Sequence, residues 1–415
     1  MSKTKSDTIN MFALIIAGEA VFLLPFILIR VFRPIIREAF IISDLEIGKA
    51  QALYGITAMI SYVFGGFFAD KFEARKLLSA SLFLTALGGI WMISIPSFKS
   101  LSILYALWGI STILFFWAAL IKATRQWGNK MNQGFSFGLL DGGRGAFAAL
   151  IATFGAFIPS LFFPENTQEI TLENTIKIMQ YIIGFVTLVV LFVSILVWNV
   201  LPKETIDTSN RKAPSFDRSK LISTLIQPKV LFHALIILCA YSAYKITDVY
   251  ATYAKDVWGY SLEDASYFGV LIQWIRPVTA ISIGWIADKF LSSKLITGSF
   301  TVLLIATILI GYGLLEDLSI MISIATFILM VLGTYSLRAL YFAIIEEAKI
   351  PIQITGTLIG IISFIGFTPD IFVSLISGYI LGENPGILEY QALFKLFIIF
   401  PVIGLLASFG FRKNI

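Results

Sequence analysis

Six basic and four acidic residues interrupt stretches that are otherwise almost wholly apolar, and these are the positions at which the chain can do chemistry. The basic ones are Arg30, Lys122, Arg144, Lys245, Arg276 and Arg338; the acidic ones are Glu19, Asp141, Asp248 and Asp370. A charge at the centre of a membrane-spanning helix costs at least about 2.5 kcal/mol on insertion scales, so it persists only with a partner, a water-filled cavity or a function. The cations outnumber the carboxylates. A low-dielectric cavity with surplus positive charge attracts an anion and offsets the loss of its hydration.

The spacings narrow the chemistry. Asp141 and Arg144 stand three apart on one helix face, in the run Asp-Gly-Gly-Arg-Gly, whose glycines allow close backbone approach. They read either as a self-neutralising pair that helps helix packing, or as a site in which Arg144 contacts substrate while Asp141 holds it or exchanges a proton. Lys245 and Asp248 repeat the spacing, and Tyr241 lies one turn before Lys245. A tyrosine hydroxyl and a lysine suit a phosphate or carboxylate. A carboxylate beside a cation also makes a proton switch, because substrate can take its partner away; a structural ion pair is the alternative. Asp141 and Asp248 are thus the first coupling candidates, with Glu19 and Asp370 as coupling sites or charge partners.

Arg30, Arg33 and Arg37 share one face of the first helix. Arg30 is expected at cavity depth, and the outer two are expected to reach lipid headgroups by snorkelling. Arg276 precedes Pro277, which loosens the helix and frees a carbonyl. Asp370 follows Pro369 and, if it has no coupling role, is expected to bond to backbone freed there. Lys122 and Arg338, in the fourth and tenth spans, are expected at similar positions near the cytoplasmic ends, as anchors or gates rather than substrate contacts. The substrate-binding set is therefore Arg30, Arg144, Lys245, Arg276 and Tyr241.

The elements that position these residues follow from composition. Of 415 residues, 57% are hydrophobic and 14% charged, against about 25% charged in a typical soluble protein. This excludes a soluble enzyme, a nucleic-acid binder and a disordered chain. Long unbroken apolar runs exclude a β-barrel, whose strands alternate. Hydropathy places twelve spans near 11–37, 46–68, 77–96, 101–124, 134–162, 174–200, 229–254, 262–287, 293–314, 318–345, 354–381 and 390–410. The chain starts with MSKTKSDTIN and an apolar segment longer than a signal-peptide core, expected to be a retained first helix.

The polar stretch 201–228 carries Lys203, Arg211, Lys212, Arg218 and Lys220 and divides the chain into a bundle over 1–200 and a second over 229–415. Even-numbered connections are basic, with Lys71, Arg75, Lys76, Lys289 and Lys294; odd-numbered ones are acidic, with Asp44, Glu46, Glu263 and Asp264. The positive-inside rule then puts the linker and both termini in the cytoplasm. The single cysteine, Cys239, and single histidine, His233, offer neither an intramolecular disulfide nor a metal site. No P-loop, Rossmann glycine pattern or catalytic triad occurs in a suitable context. No cofactor and no catalytic residue is expected, and uphill movement must draw on an ion gradient or on exchange. A monomer is the default. The short tails argue against a ligand sensor that signals to a partner.

The chain also repeats itself. Ala-Asp-Lys-Phe stands at 69–72 and again at 287–290, after the second and eighth spans. At these residues the sequence resembles the major facilitator superfamily, whose G-x-x-x-D-R/K-x-G-R/K-R/K loop follows the second helix, with a weaker copy after the eighth. Gly66, Asp70, Lys71 and Arg75 match the first copy; Gly284, Asp288 and Lys289 match the second; Glu73 replaces the second glycine. The resemblance implies an all-α polytopic membrane protein of twelve transmembrane helices in two pseudo-symmetric six-helix bundles. It also implies a cytoplasmic gate at these loops. LIRVF (28–32), FFWAALIKATRQW (115–127) and ITDVYATYAKDVWGY (246–260) are similar to the organophosphate:phosphate antiporter branch, whose first-helix arginine corresponds to Arg30. That branch's seventh-helix arginine has no strict match, although Lys245 lies close by. The run 121–145 resembles a poorly characterised group of bacterial permeases. Together these imply a secondary transporter of a small organic anion in a bacterial inner membrane, coupled to protons or a counter-anion. A proton-driven exporter of an amphipathic compound is the alternative; it would have one dominant carboxylate in an apolar cavity.

Overall fold

The computed structural model describes residues 2–128, 133–162, 171–203, 227–287, 289–314, 319–348 and 362–414. The described residues form helices and short connections, with no strand among them. Twelve helices are long and apolar enough to cross a membrane: α1 Thr8–Phe40, α2 Asp44–Ala69, α3 Ala74–Ile93, α4 Phe98–Thr124, α5 Leu139–Leu161, α6 Leu172–Val200, α7 Pro228–Asp256, α8 Leu262–Ala287, α9 Ser292–Gly311, α10 Ile320–Leu340, α11 Ile362–Leu381 and α12 Ile387–Lys413. Most of the linker stretch, 204–226, lies outside the described residues, as does Asp288. The membrane face where α6 ends and α7 begins is called the linker face below; the opposite one is the far face.

Two hydrophobic cores form, one from residues between Met11 and Leu201 joined by Val270, the other from residues between Val230 and Phe411. Large apolar side chains such as Phe67, Phe154, Leu188, Ile281 and Tyr379 point outward, as they do where the surrounding solvent is lipid.

Two helices bend where they carry charge. In α1, residues Leu23–Ile27 form a π-helical turn that contains Pro25. Proline lacks the N–H that an α-helical bond would need there, and π turns recur at functional sites. The turn lies just before Arg30. In α7, Thr247–Val249 tightens to a 3-10 turn. No proline explains this one; the Thr247 hydroxyl donates to the Tyr244 carbonyl at 2.7 Å, a local bond that competes with the regular helix. The turn contains Asp248. A further π turn, Ile113–Trp117, interrupts α4.

The two cores meet along a seam of small residues. A side chain at Gly48 would strike the carbonyl of Ser374, one at Gly55 the backbone of Asp370, and one at Gly378 the carbonyl of Asp44. Helices α2 and α11 therefore touch backbone to backbone from the far face inward. The seam continues to Tyr62, stacked on Phe367 with centroids 6.3 Å apart. Between α5 and α8, Trp274 Nε1 donates to Thr153 Oγ1 at 2.9 Å. Towards the linker face the packing stops: Gly66, Gly142 and Gly284 have no atom within 4 Å of where a Cβ would stand. Among the described residues, the contacts that join the halves run from the far face to the middle.

Replacing Gly48 or Gly378 with valine should drive α2 and α11 apart, at a cost of about 1–3 kcal/mol. The expected outcome is a lower melting temperature with unchanged helical circular dichroism. A thiol introduced by Ser374→Cys should then react with an impermeant maleimide supplied from the far face only in the valine variant.

Candidate functional site

The charges gather where the two halves meet, in three groups. The first joins α1, α2, α7 and α11. Arg30 grips Asp248 with two nitrogens, Nε at 2.7 Å and Nη2 at 2.6 Å from Oδ1, and donates from Nη1 to the Tyr244 hydroxyl at 2.6 Å. Gln51 adds a longer bond to Asp248 Oδ2 at 3.4 Å. Lys245 lies between two carboxylates, 3.2 Å from Asp248 and 3.5 Å from Asp370, with its ammonium 4.4 Å from the centre of the Phe26 ring. The Tyr241 hydroxyl is 3.1 Å from both oxygens of Asp370.

The second group joins α1, α5 and α8. Glu19 accepts from Arg144 and from Arg276, each at 3.0 Å. Arg276 also holds Asp141 at 3.2 Å, whereas Arg144 stays 3.9 Å from it. Close approach requires glycines here: Gly145 faces the stem of Arg276 at 3.1 Å and Gly18 that of Arg144 at 3.1 Å. The Glu19 side chain is 2% exposed, but Asp141 is 34% exposed. Asp141 is thus the exposed member of this group, next to the open position at Gly142.

The third group closes the far face. Arg33 pairs with Asp44 at 2.6 Å; Arg37 pairs with Asp44 at 3.3 Å and with Asp256 at 2.6 Å. Tyr390 donates to Asp256 at 2.9 Å, and Lys255 meets Glu38 at 2.8 Å. These links tie α1 to α7 and α12.

Arg338 of α10 differs from the rest. Its ζ-carbon lies 3.7 Å from the centre of the Tyr244 ring, and its buried Nε has no acceptor. No carboxylate pairs with it among the described residues. Tyr244 thus has a guanidinium against its ring from Arg338 and a second, from Arg30, at 4.2 Å. Around the centre, five cations face four carboxylates.

Several expectations from the sequence need correction. Arg33 and Arg37 do not snorkel: the turn through Ile41, with φ of 52°, brings Asp44 back to them, and a carboxylate at 2.6 Å is a nearer partner than a headgroup. Asp141 and Arg144 are not a self-sufficient pair, because each finds a closer partner on another helix. Asp370 bonds to Tyr241 and Lys245 rather than to freed backbone alone. Lys122 does anchor, donating to the Ala69 carbonyl at the end of α2, where a cation suits the helix dipole. Arg338 does not share that position; it reaches the centre. Tyr244 and Gln51 were also missed. The four-residue step from Tyr244 to Asp248 was a usable signal; nothing in the sequence pointed from Gln51 to α7.

At the loop motif, the described contacts stay within one half. Arg75 lies over the Trp198 ring at 4.7 Å and 3.8 Å from Glu73; Lys71 lies over Phe67 at 5.6 Å, and Lys289 over Trp285 at 3.9 Å. The hydrogen bond from Lys76, helped by Arg75, holds the Glu73 carboxyl below the usual range. The side chain of Asp70 and all of Asp288 lie outside the described residues. His233 is consumed by a bond from Nε2 to the Tyr341 carbonyl at 2.6 Å.

A helical membrane protein in two joined halves, with its charges collected between them and open to one side, has the architecture of a membrane transporter. The chain belongs to the Major Facilitator Superfamily, whose family model matches residues 12–373. It is similar to the inner membrane protein YqcE of Escherichia coli (strain K12), 29% identical over 343 residues, which covers 81% of this chain and 79% of that one. It is also similar to the inner membrane protein YihN of the same strain, 25% identical over 408 residues, 97% and 94% of the two chains. Among solved structures, the nucleoside transporter NupG superposes with a TM-score of 0.74 at 11% identity over 98% of each chain. An inward-facing bacterial homologue of the human lysosomal transporter Spinster gives 0.71 at 15% identity over 99% and 98%. At such identities the solved structures show the fold alone.

Removing one member of the second group should be costly because it strands buried charge. Glu19→Gln is expected to lower stability by about 3 kcal/mol. Adding Arg144→Gln should recover part of that loss, since Arg276 keeps Asp141. Thermal unfolding of the two single variants and the double variant in detergent measures the coupling.

Proposed function

We propose that this chain is a secondary transporter that works by alternating access and carries a small phosphorylated or carboxylated organic anion across a bacterial inner membrane. The observation that supports the reading is Arg338: a central guanidinium with an aromatic neighbour and, among the described residues, no carboxylate partner, in a group where every other cation is paired. An anion would supply the missing charge. It would meet Arg338 beside Tyr244 and Tyr241, with Lys245 and Arg30 close behind and Arg144 and Arg276 on the other flank.

The alternation follows from the same geometry. The far face is shut by the α2–α11 seam and by the Arg37–Asp256 bridge, while packing between the halves ends before the linker face. The basic even-numbered loops assign the linker face and both termini to the cytoplasm, so this arrangement is open to the cytoplasm. Rocking of the halves would part the seam and close the linker face around the fixed site. The chain has no nucleotide-binding motif, which favours an ion gradient or exchange as the driving force.

Binding to the native state raises apparent stability with the logarithm of ligand concentration over dissociation constant. A panel of phosphorylated, carboxylated, neutral and cationic compounds, screened by melting temperature, should therefore yield shifts from anions. Arg338→Gln should weaken those shifts at least about tenfold in apparent affinity, the loss of one charge-assisted contact. The variant should melt no lower than the parent, because it removes an unpaired charge rather than stranding one. Shifts from neutral or cationic lipophilic compounds alone, or full anion binding by Arg338→Gln, would overturn the reading.

A further inference from the structure

We propose that Asp370 is the proton-binding site of the transport cycle, and that its protonation releases Lys245 to meet the anion. The proposal rests on the anion reading above and adds the coupling ion to it. The geometry singles out Asp370 by comparison with its neighbours. Glu19 is held by two arginines, and Asp248 by two nitrogens of Arg30 plus Lys245. Asp44 has Arg33 and Arg37; Asp256 has Arg37 and Tyr390. Asp141 is held by an arginine, Arg276, at 3.2 Å. Asp370 has no arginine. Among the described residues its one paired cation is Lys245 at 3.5 Å, which lies nearer to Asp248, and its side-chain hydrogen bond comes from the Tyr241 hydroxyl.

A carboxylate with one distant, shared cation loses least when it takes a proton. It is also reachable: its side chain is 11% exposed, against 2% for Asp248. Among the described residues no second cation pairs with it. Helix α7 presents Tyr241, Lys245 and Asp248, and α2 brings Tyr54 and Tyr62 within electrostatic reach. The first turns of α12, which flank α11, carry Glu389, Tyr390 and Lys395. These are turned to the Gly386 N–H, Asp256 and the Tyr312 ring respectively.

The charge arithmetic gives the coupling its sense. With Asp370 ionised, the centre has one cation in excess. With Asp370 protonated, Lys245 keeps only Asp248, which Arg30 already holds with two nitrogens, so one carboxylate is shared by two cations and the excess positive charge of the centre rises by one. The proton comes from bulk water and stays on a carboxylate oxygen, and no other bond changes. An anion therefore binds better to the protonated form, and by linkage the proton binds better to the anion-loaded form. The carboxylate is also on the moving part. Its own backbone is what Gly55 touches across the α2–α11 seam, so a change in its charge occurs on the helix that must shift to open the far face.

The test uses the purified full chain and two probes whose charge is nearly constant between about pH 6 and pH 8, sulfate and succinate. For the parent protein, apparent affinity for the probe should weaken by about tenfold per pH unit above the midpoint, and binding in weak buffer should take up about one proton from solution. Asp370→Asn should bind the probe tightly and with no pH slope, and should take up no proton. Tyr241→Phe removes the donor that stabilises the ionised carboxylate, so its binding midpoint should move to higher pH; this variant decides the matter together with the parent's proton uptake if Asp370→Asn fails to fold. A pH slope that survives in Asp370→Asn, or parent binding with no proton uptake, overturns the assignment while leaving the anion reading in place. Failure of both probes to bind the parent at any pH counts against both.

Discussion

A charge inside a low-dielectric protein in a bilayer must be matched close at hand or removed, and several of the matches in this molecule run between its two halves. Arg30 of α1 is answered by Asp248 of α7, Glu19 of α1 by Arg276 of α8, and Arg37 of α1 by Asp256 of α7. Charges that would be prohibitive in lipid thereby become the bonds that hold the bundles together. The same bonds restrain movement. Any rearrangement that parts the halves must find new partners for these groups, or admit water or substrate to them. State change and compensation of charge are one problem in this fold.

The backbone is shaped around that problem. The π turn at Leu23–Ile27 precedes Arg30, and the 3-10 turn at Thr247–Val249 contains Asp248. Lys245, just before the second stretch, has its ammonium 4.4 Å from the centre of the Phe26 ring in the first. Outside them, close contact is left to glycines: Gly48, Gly55 and Gly378 let α2 and α11 meet at backbone distance. Such a contact gains dispersion without committing side chains to hydrogen bonds. A seam of this kind can part without stranding polar groups, whereas the charge clusters cannot. The far face combines the two kinds of contact, the glycine seam and the Arg37–Asp256 bridge.

The twelve spans were legible because a bilayer demands about twenty apolar residues per crossing, a signal that survives any tertiary context. The identities of the buried charges were legible for the same reason. Their partners were not. Spacing along one helix suggested Asp141 with Arg144 and Lys245 with Asp248, because a periodic argument sees only i, i+3 and i, i+4 neighbours. Yet the nearest partner of Arg144 is Glu19, and that of Asp248 is Arg30, more than 100 residues away in each case. Asp44, read only as a mark of membrane sidedness, is the partner of Arg33. Arg338 was placed by its apparent equivalence to Lys122, but the two halves have diverged: one side chain caps α2 and the other reaches the centre.

Tyr244 shows why that divergence can persist. Two guanidiniums approach its ring, at 4.2 Å from Arg30 and 3.7 Å from Arg338. A desolvated cation–aromatic contact is worth about 2 kcal/mol, enough to hold Arg338 in place but well short of what a carboxylate would give. A carboxylate there would cancel the charge of Arg338, the charge on which the proposed anion reading rests. The aromatic ring supplies partial compensation from a neutral group, which leaves the cation positioned and still in need of a partner. On the proposed reading, stability and binding compete at this one residue, and a tyrosine rather than an acid beside Arg338 is the form that the compromise takes.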